Sequence, residues 1–476
     1  MSLKNLIRNA VREHPEKTAI IEEDAVVRYD LLLSIIEEIA GDLREFGVQE
    51  GDLIGLRFPN GIAYIAITFA IWEVGAIVVP IGTELKNTEV ENICSAMQLN
   101  AIIRNEAGER DLNGKSSLFD IQYFYNRRSS KNYVEHTEKD IAFIRFTSGT
   151  TGVSKGVVLS HRAIRERIEA VNKTLQINPE DTVIWMLSMA HHFVSTIILY
   201  LANNATIVIV KKMLAGSILE ITNRFKGSVL YASPFHYSLL ASDNSGTMLS
   251  TVRLALSTTV ELPDDTFQKF HERYHLPIVQ AYGIIEIGLV CINTTAPSEK
   301  VGSVGKVLPD YNIRLKNIRD YQQEKQPCGE ILLSGPGFFD AYFSPWSEAS
   351  SVMEGNWFDT GDIGWIDDDG YVYLVARKKE IINIAGMKVF PQEIESVLNQ
   401  HPDIKESQVY GMKHSRFGEL VIANVVPEAN QVEIAEDELI EYCRDRLSAY
   451  KIPQEIRMVD RIQKTPVTSK IIRRRQ

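Results

Sequence analysis

From Phe146 to Gly156 the chain reads Phe-Thr-Ser-Gly-Thr-Thr-Gly-Val-Ser-Lys-Gly, a run of hydroxyl side chains with three glycines and a single lysine. It follows the apolar run Ile141 to Phe146, so a buried strand should deliver the chain into a flexible loop dense in donors. Backbone N–H groups, hydroxyls and the Lys155 ammonium together suit a polyphosphate. A Walker loop is excluded, because its lysine is followed by a Ser or Thr that opens a helix, whereas Lys155 is followed by Gly156. Two other segments carry usable carboxylates. Tyr282-Gly-Ile-Ile-Glu286 follows the strand-like run Ile278 to Ala281, and Phe358-Asp-Thr-Gly-Asp-Ile-Gly364 is an acidic glycine turn. By residue type alone, Glu286 also fits a structural ion pair and Asp362 an ordinary turn.

Taken in order, these segments resemble the adenylate-forming superfamily of acyl-CoA synthetases, peptide-synthetase adenylation domains and firefly luciferase. The resemblance runs from Tyr29 to Lys470. It implies that Thr147, Ser148, Gly149, Thr150, Thr151, Gly152 and Lys155 bind the phosphates of ATP, that Tyr282 lies against adenine, and that Glu286 helps to hold Mg²⁺. A hard carboxylate oxygen is what Mg²⁺ prefers. Ser257-Thr-Thr-Val-Glu-Leu-Pro263 resembles the family's adenine strip, with Thr258 and Thr259 in place of glycines. Asp362 is implied to accept the ribose hydroxyls and Arg377 to reach the nucleotide. Lys379 is implied as the hinge of a rotating small domain, and Gly386 as part of the acceptor tunnel. Lys378 reads as a solvated hinge residue. In Lys464-Thr-Pro-Val-Thr-Ser-Lys470 the final lysine matches the family's adenylation lysine, so Lys155, Glu286 and Lys470 are the expected catalytic residues. Ile285 replaces the usual Thr, and Ser469 a Gly, which admits a third reading of a nucleotide-binding protein with weakened catalysis.

The acid and its acceptor are less constrained. Met189-Ala-His-His-Phe-Val-Ser-Thr196 stands where the family forms a wall of the acyl pocket, and it lacks the Asp that amino-acid-activating domains use for the ammonium. An aryl, alicyclic or fatty acid is expected, with His191, His192, Phe193 and Ala281 near it. Two adjacent histidines without a placed third ligand do not specify a metal. The resemblance allows coenzyme A, a phosphopantetheinyl carrier protein, or the amine of an amino acid as acceptor. The last is suggested by a looser similarity to coronafacate-ligase-type enzymes.

The elements needed to position these residues are those of an α/β fold. Leu32, Ile35, Ile36, Ile39, Leu43 and Phe46 recur at helical spacing, and runs such as Leu53 to Leu56 and Ala205 to Val210 suit buried parallel strands. Ile62 to Ile81 approaches membrane-spanning length, but Glu73, Gly75 and Pro80 interrupt it, so it reads as a buried helix, a turn and a strand. The polar, aperiodic stretch Arg104 to Asp140 reads as surface elaboration. Expected is a large N-terminal domain of mainly parallel sheets flanked by helices over residues 1–376, a hinge at 377–379, and a small mobile α+β domain over 380–476. The net charge of −11 argues against a general nucleic-acid binder. Four scattered cysteines, Cys94, Cys291, Cys328 and Cys443, show no zinc or redox spacing, and the first residues carry no signal-like apolar run, so a cytoplasmic location is expected.

Overall fold

The computed structural model describes residues 3–105, 114–116, 121–125, 140–147, 155–323, 326–343, 345–384, 387–414, 418–428, 435–464 and 471. It divides into two compact units, one of Met1–Asn312 with Gly335–Asn356 and one of Ile313–Ser334 with Trp357–Gln476.

The larger unit is built on two nine-stranded sheets. In the first, Thr18–Glu22, Thr206–Ile209, Thr182–Trp185, Val229–Ala232, Leu254–Ser257 and Ile278–Ile284 run parallel side by side. The last of them turns into an antiparallel hairpin with Gly288–Ile292. Strand period decides what each face meets. Ile184, Leu230, Ala255 and Ile278 pack with Tyr237, Phe267 and Phe270 of the helices Pro234–Ala241 and Asp264–Tyr274. Trp185 and Tyr231, odd in that alternation, meet Tyr200 of the helix Ile197–Ala202 on the opposite side.

In the second sheet, Ile77–Pro80 lies parallel to both Leu53–Arg57 and the strand Ile141–Thr147. That strand continues antiparallel to Lys155–Ser160. The helix Ile62–Glu73 is apolar on almost every face because it is buried on almost every face. Its Trp72 indole donates to the Ala142 carbonyl at 2.8 Å, fixing the helix to the strand Ile141–Thr147. Among the described residues no helix is long and apolar enough to cross a membrane.

The stretch expected to be surface elaboration holds more regular structure than its composition suggested. Ile121–Tyr125 pairs antiparallel with Ala101–Arg104 and extends the second sheet.

The smaller unit has a four-stranded sheet, Asn312–Gln323, Gln326–Ser334, Phe358–Ile366 and Val372–Arg377, and a five-stranded sheet around Ile404–His414 and Gly418–Pro427. The core of the latter takes Ile394 and Leu398 from the helix Pro391–Leu398, and Leu439 and Cys443 from Glu436–Arg444. The division by packing therefore differs from the sequence boundary at 377–379. Residues 313–334 and 357–376 join the smaller unit because Gln326–Ser334 pairs with Phe358–Ile366.

Candidate active site

The strands Ile141–Thr147 and Lys155–Ser160 close against each other at Thr147–Lys155 and Phe146–Gly156, on either side of the loop that the sequence resemblance assigns to phosphates. Ser148, Gly149, Thr150, Thr151 and Gly152 lie outside the described residues, as do the side chains of Thr147 and Lys155. One residue before Phe146, Arg145 reaches sideways. Its Nη1 donates to the His191 carbonyl at 2.6 Å, and its Nη2 meets His191 Nδ1 at 2.9 Å. A guanidinium can only donate, so Nδ1 accepts and the imidazole proton sits on Nε2, which faces Glu84 Oε1 at 3.4 Å. Burial lowers the Arg145 pKa to about 10, opposed by the charge of Glu286, so it remains cationic at neutral pH. Asn60 clamps the same segment, donating to the Leu187 carbonyl at 2.7 Å and accepting from the Met189 N–H at 2.8 Å.

The adjacent pair of residues diverges. His192 presents Nδ1 to the Tyr231 hydroxyl at 3.4 Å. Phe193, expected on the pocket wall, is instead set in an aromatic cluster with Tyr64, Phe69 and Trp72, because the turn Phe193–Ser195 directs its ring into the core.

Thr258 and Ala281 stand at the carboxyl ends of parallel strands, where open α/β sheets bind ligands. Thr259 has φ of 93°, a conformation suited to glycine, and its buried Oγ1, like that of Ser257, has no hydrogen-bond partner among the described residues. Beyond Tyr282, which is buried, the chain makes a tight turn between Ile284 and Gly288 that carries Glu286. Gly283 permits it, since a Cβ there would lie 2.3 Å from the Gly288 carbonyl oxygen. Arg167, 1% exposed, donates to the carbonyls of Ile285 at 3.0 Å, Glu286 at 3.3 Å and Gly337 at 2.6 Å. The Tyr342 hydroxyl donates to Glu286 Oε1 at 3.1 Å. The carboxylate is thus oriented from both its backbone and its side chain.

In the smaller unit, Asp362 and Arg377 are direct cross-strand neighbours. Arg377 Nε lies 2.7 Å from Asp362 Oδ1, and its Nη1 donates to the Thr360 carbonyl. The two residues that the resemblance assigns to the nucleotide are thus brought together as an ion pair. Lys378, read from sequence as a solvated hinge residue, is bonded to Glu330 at 2.9 Å and lies 3.5 Å from Asp359. Burial alone would lower its pKa, but those two carboxylates raise it. Lys379 is exposed, and Gly386, Ser469 and Lys470 lie outside the described residues.

Comparison with known sequences bears on this arrangement directly. The model of the AMP-binding enzyme family matches residues 7–343, and that of the AMP-binding enzyme C-terminal domain matches residues 393–468. The chain belongs to the AMP-binding enzyme family. A probable CoA ligase of Humulus lupulus is 24% identical to it, over 100% of this chain and 95% of the relative. A 2-succinylbenzoate–CoA ligase of Bacillus licheniformis is 26% identical, with 97% of each chain covered. Among solved structures, the o-succinylbenzoate coenzyme A synthetase of Bacillus subtilis in complex with AMP shares the fold, with a TM-score of 0.84 at 23% identity over 98% of this chain and 97% of that one.

Sequence reasoning missed four residues that shape this AMP-binding enzyme: Asn60, Arg145, Arg167 and Tyr342. Arg167 had a signal, for it occupies a core-facing position between Ile164 and Ile168 of the helix His161–Leu175. Arg145 was hidden inside what reads as an apolar run. Among the described residues no cluster of three or more His, Cys, Asp or Glu could hold a metal ion. A Mg²⁺ held by Glu286 together with substrate phosphates is the arrangement such a single carboxylate fits.

Proposed function

We propose that this AMP-binding enzyme activates a carboxylic acid without an α-amino group and passes the acyl group to the thiol of coenzyme A or a phosphopantetheine arm. The observation that carries the reading is the placement of Glu286. Its turn is pinned by Arg167 and Tyr342, and its charge acts on Arg145 of the strand leading to the phosphate loop. In the first step a carboxylate oxygen of the acid forms a bond to the α-phosphorus of ATP, and the bond to the β-phosphate oxygen breaks to release pyrophosphate. Glu286 would hold a Mg²⁺ that, when bound, would neutralise charge on that leaving group. Lys155 and the loop around it hold the phosphates, Thr258 and Tyr282 flank the adenine, and Asp362 and Arg377 serve the ribose and nucleotide. Lys470 supplies a cation where negative charge shifts in the transition state, worth about 3 kcal/mol. In the second step the thiolate attacks the acyl carbon and AMP leaves, with Lys379 as hinge and the Gly386 segment lining the acceptor path.

The segment Met189–Thr196 carries no carboxylate, and Glu84 meets the His191 ring rather than standing free. This supports an acid without an ammonium. The test is pyrophosphate release over a panel of acids that includes α-amino acids, with mass analysis of the products made with coenzyme A or with free amino acids. Pyrophosphate and a coenzyme A thioester are expected. Lys470→Ala should lose adenylate formation yet still make thioester from a supplied adenylate. An amide product would replace the thiol reading, and silence with every acid would leave only nucleotide binding.

A further inference from the structure

The space beneath His192 is filled by aromatic side chains. Trp185 and Tyr231 are register neighbours on adjacent parallel strands, and their rings stack with centroids 5.1 Å apart and 12° between planes. Tyr200 closes edge-on against both, at 6.3 Å from each. His192 in turn lies edge-on to Tyr231 at 6.0 Å and to Trp185 at 6.4 Å. Trp185, Tyr200 and Tyr231 are all at most 1% exposed.

Strand register relates this cluster to the expected acid site. Tyr231 is level with Leu256, and Leu256 with Val279. Thr258 and Ala281 lie two residues further along the same strands, so they share the Tyr231 face and stand nearer the carboxyl ends. Two residues of strand span about 6.6 Å. An acyl group that enters past Ala281 therefore has about one ring's depth before it meets Tyr231. The polar groups there converge on His192: the Tyr231 hydroxyl faces its Nδ1 at 3.4 Å, and the Thr196 hydroxyl donates to its carbonyl at 2.7 Å. A long alkyl chain could pass only by displacing rings that are fully buried and mutually packed.

We propose that the acid is compact, no longer than one ring or a short chain, and that Trp185 and Tyr231 form the specificity-determining floor that turns away long-chain fatty acids. This inference rests on the adenylation reading and narrows it. Its test is binding of non-hydrolysable sulfamoyl adenylates carrying benzoyl, butanoyl or dodecanoyl groups to the full-length chain, which reads the pocket without requiring turnover. The benzoyl or butanoyl compound should bind at least tenfold more tightly than the dodecanoyl one. Tyr231→Ala should remove most of that difference by strengthening dodecanoyl binding, while Tyr231→Phe, which keeps the ring, should preserve the ranking. Dodecanoyl binding by the unsubstituted chain that equals or exceeds the others overturns the proposal, and that comparison stands even where Tyr231→Ala fails to fold. Failure of all three compounds to bind would instead strike the adenylation reading, and this inference with it.

Discussion

Thr259 shows most plainly what a single residue inherits from its position. A β-branched residue at φ of 93° is strained, and such strain costs about 1–3 kcal/mol. The resemblance places glycine at this position in related chains, and here the backbone keeps a glycine-like conformation although the side chain has changed. Thr259→Gly should therefore stabilise the protein by about 1 kcal/mol, once the extra freedom of glycine in the unfolded chain, about 0.5–1 kcal/mol, is subtracted. Urea denaturation should show a higher midpoint with an unchanged slope. A lower midpoint would mean that the threonine side chain compensates for its backbone. The sequence displayed the substitution but not the strain, which depends on the dihedral. Arg145 was illegible for another reason. Its partners, the carbonyl and ring of His191, lie 46 residues away and become neighbours only when the two sheets assemble.

At the level of elements, period and turn chemistry carried much of the information. The helix Ile62–Glu73 and the strand Ile77–Pro80 fall where the interrupted apolar stretch placed them. The helix Tyr29–Glu45 likewise follows the spacing of Leu32, Ile35, Ile36 and Ile39. The hairpin that joins Ile278–Ile284 to Gly288–Ile292 is more demanding, because it must bring Glu286 round while Gly283 passes against the backbone of Gly288. Gly283→Ala would force a Cβ to within 2.3 Å of the Gly288 oxygen, a contact that only backbone movement can relieve. Adenylate formation should fall at least tenfold, with most of the loss in kcat. Thermal melting should show the fold retained. Wild-type kinetics in this variant would mean that the turn can shift without moving the carboxylate. The strand Ile121–Tyr125 escaped the sequence reading because five residues amid a polar stretch give too short a pattern to weigh against its surroundings.

Across the whole molecule, packing joins segments that are distant along the chain. Gly329 pairs with Gly364 and Glu330 with Ile363, contacts that no local pattern announces, and they draw residues 313–334 into the smaller unit. The larger unit carries a pH liability that composition alone would not reveal. Burial pushes the imidazoles of His161 and His236 down to about 4, Asp140 opposing the shift at His161. In the unfolded chain both titrate near 6.5, to a good approximation. Between those values the unfolded state binds more protons, so stability is complete above about pH 6.5 and declines as the pH falls toward 4. At pH 5 each histidine should cost roughly 2 kcal/mol. The urea midpoint should drop between pH 7 and pH 5, and a flat midpoint over that interval would show that neither imidazole is desolvated as the packing indicates. Arg145 has a wider consequence for the larger unit. One guanidinium braces His191, and the charge of Glu286 opposes the lowering of its pKa by burial. An acid that displaced His191 would disturb Arg145 and so the charge that faces Glu286, and linkage is reciprocal: whatever factor such an acid imposed on nucleotide affinity, the nucleotide would impose on the acid.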